Sequence, residues 1–303
     1  MYDLVVIGSP SYDRFVRPSS NNGRQLSGPA IFSARCAVQL GIENMAIVGP
    51  ISSQYLDQYA IYLDKLGIPE YYPINSLDTG GFELNYNGGI EPDYISVLGV
   101  PKTIGIRDIP DEFLSSQIII LSPLLQEISA ELIEWICNSS DATILLDPQL
   151  RDINSEGKLA VVSELQVIEK TRSFLDFIKP NEREALLITG EEDMFLAAEL
   201  LVESLAESCI ITLGEKGSLI YDGNMFTIVP AFPTQAKDAF CAGASFLAGF
   251  ALGLLEERSI VNCAALGAAV ASEKVERTGL DFNLIRSDVE RRAAQIAHDS
   301  ETR

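Results

Sequence analysis

Short apolar runs bounded by turn formers alternate along this chain with segments of helical periodicity, and that alternation restricts the fold more than any other feature. The runs Leu4 to Ile7, Ala46 to Val48, Ile118 to Leu121, Thr143 to Leu146, Phe174 to Ile178 and Cys209 to Leu213 read as strands buried on both faces. Between them, Ile31 to Leu40, Tyr55 to Leu66, Ala130 to Ile136, Asn181 to Ile188 and Phe195 to Ala206 carry helical patterns. Strand alternating with helix predicts an α/β fold with a doubly wound, mainly parallel sheet. At 303 residues and 47% hydrophobic composition, the chain has the material for one such domain over residues 1–303.

Two stretches break the rhythm. Residues 13–27 are polar around Asn-Asn-Gly, and residues 78–100 contain the alternating strand Phe82 to Tyr86 between glycine pairs. Both predict β-strands outside the main sheet, forming a small lid. The apolar face of such a strand must cover something, either an acceptor pocket or the same strand of a second subunit in a homodimer. The uncharged stretch Ala239 to Leu255 approaches the length of a membrane span. Its Ala- and Gly-rich composition, the flanking Asp238 and Glu256, and the second Ala-rich run Ile260 to Ala271 instead predict two closely packed helices inside the domain.

Charge and composition exclude several classes of function. A net charge of −21 repels phosphate backbones and anionic headgroups, so neither nucleic acid nor a membrane surface is an expected partner. The five cysteines are widely spaced with no CxxC pair, and the opening residues lack the basic region and long apolar run of a signal peptide, so a reducing cytoplasm is the expected location. The single histidine, His298, leaves proton transfers to carboxylates or lysines. No GxxxxGK[ST] motif occurs, and no GxGxxG follows the first strand.

Asp238, at the mouth of the small-residue helix, has two readings. As an N-cap it satisfies helix-end N–H groups. As a general base it sits beside a positive dipole end, where an anionic phosphate also binds. Pro233, Thr234, Ala236, Asp238, Ala239 and Phe240, followed by Ala242-Gly243, resemble the second signature of the ribokinase-like (PfkB) carbohydrate kinase family, usually Asp-Pro-Thr-Gly-Ala-Gly-Asp-Ala-Phe. Other segments fall in the family's order. Gly8-Ser9-Pro-Ser11-Tyr-Asp13 and Ser27-Gly28-Pro-Ala-Ile-Phe32 resemble its acceptor-binding turns, and Asp147-Pro-Gln149-Leu-Arg151 its Asp-Pro-Asn-x-Arg segment. Lys179-Pro-Asn181-Glu-Arg-Glu184 resembles its Asn-x-x-Glu motif, Thr212-Leu-Gly214-Glu-Lys-Gly217 its nucleotide-binding turn, and Val275 to Gly279 its penultimate turn.

The resemblance implies an ATP- and Mg²⁺-dependent kinase that phosphorylates a hydroxyl of a small sugar, polyol or nucleoside. It casts Asp238 as base, with Lys237 and the N–H groups around Ala236 to Asp238 on the transferred phosphoryl. Asn181 and Glu184 would hold Mg²⁺ through water, and Thr212, Gly214, Gly217 and Thr234 the donor. Asp13, Ser11, Gly28, Phe32, Gln149 and Arg151 would take the acceptor. Plainer readings stand beside these: a capping box for Asn181 and Glu184, a tight turn for Thr212 and the glycines, a solvated charge for Asp13 and a core position for Phe32. The chain departs from the family at Gln235 and Lys237, where glycines usually give the backbone unusual φ/ψ, at Phe32 in place of a sugar-binding Asn, and at Gln149. These departures motivate an alternative, a catalytically weakened relative that binds nucleotide or sugar in a regulatory or scaffold role. An unrelated doubly wound enzyme, such as a nucleotide hydrolase, is a third reading. Acceptor, donor and oligomeric state are left open.

Overall fold

The computed structural model describes residues 1–18, 20–21, 23–153, 159–161 and 175–302. Residues 19 and 22 of the expected lid stretch, and Phe174 of an expected strand, lie outside these. The N-terminal part runs β1 (Leu4–Ile7), β2 (Ser11–Arg17), β3 (Ser20–Asn21), β4 (Gln25–Ser27), α1 (Pro29–Gln39), β5 (Met45–Ser52) and α2 (Leu56–Leu66). Next come β6 (Glu70–Ser76), β7 (Gly81–Asn85), β8 (Tyr94–Gly99), β9 (Ile118–Leu121), α3 (Ala130–Ser139) and β10 (Thr143–Leu146). A short antiparallel pair, β11 (Arg151–Ile153) and β12 (Leu159–Val161), precedes β13 (Leu175–Ile178), α4 (Glu182–Thr189), α5 (Met194–Ser204) and β14 (Ala206–Thr212). The chain ends with β15 (Ser218–Tyr221), β16 (Phe226–Val229), α6 (Ala242–Leu255), α7 (Ile260–Val275), α8 (Arg286–His298) and β17 (Glu301–Thr302).

Ten strands form the central sheet in the order β17-β16-β15-β14-β13-β10-β9-β1-β5-β6. From β14 to β6 every pairing is parallel, and β15, β16 and β17 add an antiparallel edge. Alternate side chains of β1 feed two cores, as a parallel strand covered on both faces requires. Leu4 and Val6 join the layer of α1, α2, α6, α7 and α8, while Val5 and Ile7 join that of α3, α4 and α5. The doubly wound sheet read from the sequence is therefore the fold observed.

Strands β2, β3, β4, β7 and β8 form a separate small sheet. The period-2 pattern of β7 works as expected, with Phe82, Leu84 and, just beyond the strand, Tyr86 buried together. Helices α6 and α7 pack almost backbone to backbone. A Cβ at Gly249 would lie 2.7 Å from the Leu266 carbonyl oxygen, and one at Gly267 would lie 2.8 Å from that of Phe246. Among the described residues no helix is long and apolar enough to cross a membrane. Helix α6 begins at Ala242 rather than at Ala239, which leaves residues 230–241 as a segment without regular secondary structure.

Candidate active site

In open α/β sheets, loops at the carboxyl ends of the parallel strands meet in a crevice. Here they bring together Gly8 to Ser11 after β1, Asp147 after β10, Lys179 to Asn181 after β13, and Thr212 at the end of β14. The cap reading of Asp238 does not hold. The residue preceding α6 is Cys241, in the left-handed region at φ 58° and making no side-chain cap hydrogen bond. Asp238 lies three positions earlier, 1% exposed, and its Oδ1 accepts the N–H of Phe240 at 3.0 Å.

The surroundings of Asp238 come from three distant segments. Arg17, at the end of β2, donates to Oδ2 at 2.9 Å, and its guanidinium lies 3.8 Å from the centre of the Tyr86 ring. The Tyr86 hydroxyl donates to Oδ1 at 3.3 Å. Burial raises the Tyr86 phenol above its ordinary range, with the Asp238 charge adding and Arg17 opposing, so at neutral pH it remains a donor. From α7, Lys274 donates to the backbone carbonyls of Asp238, at 3.0 Å, and Phe240, and its Nζ lies 4.0 Å from Asp238 Oδ1. None of Arg17, Tyr86 or Lys274 was singled out from sequence. Tyr86 had a signal, since it shares the face of Phe82 and Leu84. Lys274 had a weaker one, as one of two charges, with Glu273, at the end of an Ala-rich helix.

The backbone here differs from the expected anion hole. Gln235 and Lys237 avoid the left-handed region, so the strain anticipated for them falls on Cys241 instead. The N–H groups of Lys237 and Asp238 both donate to the Val275 carbonyl, at 2.6 and 3.1 Å, and that of Ala239 to Ile90 at 2.9 Å. In this conformation those donors are engaged within the protein. A cleft of about 570 Å³ opens beside them, lined by Pro233, Thr234, Gln235, Lys237, Glu276 and Arg277. Thr234 Oγ1 donates to Glu276, which Arg292 also holds at 3.1 Å. Thr234 and Lys237 thus share one wall with the turn after α7.

A second cluster surrounds β10 and β13. Buried Asp147 and Lys179 pair at 3.3 Å, and Gln149 donates to the other Asp147 oxygen at 3.1 Å. Asn181 and Glu184 form the capping box at the start of α4: Asn181 Oδ1 accepts the Glu184 N–H at 2.9 Å, and Glu184 Oε2 accepts that of Asn181 at 3.0 Å. Glu184 Oε1 takes the N–H of Leu150 at 3.3 Å. Burial and then the Asp147 charge push the Glu184 carboxyl up, with Lys179, the Asn181 N–H and Arg151 opposing. Thr212 is stapled alongside, its N–H donating to Pro180 at 3.0 Å. Gly214 and Gly217, at φ 62° and 100°, make the turn into β15. Gln149 sits at φ 43°, a region Asn tolerates better, which is a physical reason for the Asn usual in the family.

A third group lies around β2: Asp13 is fully buried, accepting from Phe82 N–H at 2.8 Å and from Ser11 Oγ at 2.9 Å. Burial pushes its carboxyl up to about 6, against the pull of Ser27, Phe82, Ser11 and Arg151. A solvated charge it is not. Gly28, at φ 102°, brings the start of α1 against Ser11. The Arg151 charge opposes the burial-driven rise at Asp13, Glu184 and Cys241 alike. Phe32 is 1% exposed, with Phe240 and Phe282 at ring-centre distances of 6.2 and 6.4 Å, so the structure puts it in the core.

Fold and placement define the class: an α/β kinase of ribokinase-like architecture, its polar residues gathered where the parallel strands end. The chain belongs to the pfkB family of carbohydrate kinases, whose profile matches residues 110–286. A cytidine kinase from Thermococcus kodakarensis is 28% identical over 285 residues, covering 92% of this chain and 98% of that protein. A pyrophosphate-dependent kinase of the ribokinase family, solved with a pyrophosphate analogue and myo-inositol, superposes with a TM-score of 0.77 at 20% identity, covering 95% of this chain and 99% of its own. Arabidopsis thaliana ribokinase, solved with ribose and ATP, gives a TM-score of 0.73 at 20% identity, with coverage of 97% and 99%.

Proposed function

We propose that this kinase transfers the γ-phosphoryl of ATP to a hydroxyl of a nucleoside, small sugar or polyol, with Asp238 as the general base. The observation that carries this reading is the pairing of two neighbours: Lys237 lines the open cleft, and Asp238 is buried directly behind it between Arg17, Tyr86 and Lys274. A donor whose terminal phosphate enters the cleft meets cations from Lys237 and Arg277. The acceptor enters between Asp13 and Asp238 beneath the small sheet, which acts as a lid and excludes water. Its hydroxyl displaces Arg17 from Asp238 Oδ2, gives up its proton there, and attacks in line. Strand β7, which carries Phe82 to Asn85, is hydrogen-bonded on both sides, to β2 and to β8, so it is not the edge through which a second copy pairs, as the sequence suggested. In a homodimer through the small sheet that edge is β8. The full-length similarity to a cytidine kinase supports a nucleoside among the acceptors.

The residues present fit a hydrated Mg²⁺ better than a directly chelated one. Among the described residues no group of three His, Cys, Asp or Glu side chains could hold a metal ion, and both Glu184 oxygens already accept backbone N–H groups. Their remaining lone pairs, with Asn181 beside them, suit the waters of an ion that keeps much of its shell. When bound, Mg²⁺ neutralises charge on the donor phosphates.

The engaged N–H groups of Lys237, Asp238 and Ala239 favour a second reading, a relative that binds nucleotide or sugar without transfer. One experiment separates the two. Acceptor-dependent ADP release by the wild type, falling at least about 100-fold in kcat in Asp238→Asn with donor binding kept, supports the base. A wild-type rate at background supports the binding role, and unfolding of the variant without a specific loss of kcat marks Asp238 as structural.

A further inference from the structure

A lysine is almost never fully buried unless its charge is partnered. Lys274 is 0% exposed near the end of α7, whose buried face is mostly Ala and other apolar or small residues until Glu273, which pairs instead with Arg292 at 2.8 Å. Taking an ammonium out of water carries a desolvation penalty that an apolar side chain filling the same space avoids. Its hydrogen bonds show what it holds. Two donors go to the carbonyls of Asp238 and Phe240, on either side of Ala239. The ammonium also lies 4.0 Å from Asp238 Oδ1 and 5.2 Å from the centre of the Phe32 ring. The next residue, Val275, accepts the N–H groups of Lys237 and Asp238 on its carbonyl. Two consecutive residues of α7 therefore fix both N–H and C=O directions over residues 237–240, in a segment with no regular secondary structure of its own.

Resting on the assignment of Asp238 as base, we propose that Lys274 is its positioning residue: the buried ammonium pins the 237–241 segment to α7 and stays beside the carboxylate while Arg17 comes and goes. The two cations differ in how they are held. Arg17 sits on the small sheet with its side chain 21% exposed, so movement of that sheet removes it. Lys274 is fully buried on α7, held by the carbonyls of Asp238 and Phe240 and lying against the Phe32 ring of α1, none of them part of the small sheet. A buried carboxylate that must stay ionised while its mobile partner leaves requires a partner of this second kind. Burial lowers the Lys274 pKa, and the Asp238 carboxylate and the Cys241 and Cys36 thiols oppose that shift.

Lys274→Met and Lys274→Gln, assayed with wild type at saturating acceptor, ATP and Mg²⁺, test the proposal. Methionine removes charge and donors, and kcat falls by about 100-fold, the scale of a displaced catalytic group. Glutamine keeps N–H donors on a shorter stem, and its loss is about tenfold. The KM for ATP stays within about threefold in both, because the cleft residues are untouched. Amide hydrogen exchange of residues 237–240 in the ligand-free variants speeds up while that of α6 and α7 is preserved. A folded variant of either kind with wild-type kcat and wild-type exchange overturns the proposal. If methionine does not fold, glutamine decides alone by the same two readouts. A wild-type rate at background overturns the kinase reading instead, and the exchange data then decide whether Lys274 pins the segment.

Discussion

Asp13 offers the most quantitative test of the proposed acceptor side. Its carboxyl, ordinarily near 3.8, is pushed up to about 6 by burial. A carboxyl whose pKa is raised on folding binds its proton more tightly in the folded state, so Asp13 favours folding most below pH 3.8 and progressively less as pH climbs towards 6. At about 1.4 kcal/mol per pH unit, the penalty is about 3 kcal/mol once the group is ionised. Asp13→Asn keeps the shape, still offers an oxygen to the Phe82 N–H, and removes the charge. Urea unfolding of wild type and variant, followed from pH 3.5 to 7.5, isolates the effect as a difference. The two proteins should be nearly equal in stability at the acid end, and the variant should gain about 3 kcal/mol on the wild type by pH 7. A difference that stays constant within about 0.5 kcal/mol across that window refutes the assignment of a destabilising buried charge. The same variant should raise the acceptor KM at least about tenfold, the worth of a hydrogen bond to a charged group, while the KM for ATP holds.

Lys237→Ala, which removes a cation from the wall of the cleft, should lower kcat by about 10- to 1,000-fold, read as ADP release at saturating Mg²⁺. A higher rate in the variant would instead make the side chain an obstruction. Gly267→Ala should cost about 1 to 3 kcal/mol in thermal or urea unfolding, since its Cβ would lie 2.8 Å from the Phe246 carbonyl oxygen, and a neutral outcome would contradict backbone-to-backbone packing of α6 on α7.

Most parallel strands and most helices were legible because their signal is local: β1 and β9 are unbroken apolar runs of four residues, β10 is a Thr followed by three, and α2 and α3 carry clear stripes. The parallel edge strand β6, Glu-Tyr-Tyr-Pro-Ile-Asn-Ser and largely exposed, carries no such run and was not read. Helix α8 was not, because its buried stripe of Val289, Arg292, Ala293 and Ile296 includes an arginine that only tertiary pairing with Glu273 and Glu276 makes tolerable. The start of α6 was misplaced by three residues because Ala239 and Phe240 look helical, yet the N–H groups of residues 237–239 are drawn away by Val275 and Ile90. For the candidate site, the motifs pointed to Asp238, Asn181, Glu184 and Asp13. They could not reveal Arg17, Tyr86 or Lys274, which reach Asp238 across 221, 152 and 36 residues of sequence. Phe32 shows the reverse, a position where the family's pattern suggested contact with acceptor and helical spacing suggested the core, where the structure puts it.

Phosphorus NMR of the purified protein with ATP, Mg²⁺ and a panel of nucleosides, sugars and polyols tests the central claim most directly. The account predicts a new phosphate ester, formed together with ADP only when a suitable acceptor is present, and lost in Asp238→Asn. Acceptors that bind, as read by heat stabilisation, yet yield no ester with either ATP or pyrophosphate as donor would contradict it and leave a binding protein built on a kinase fold.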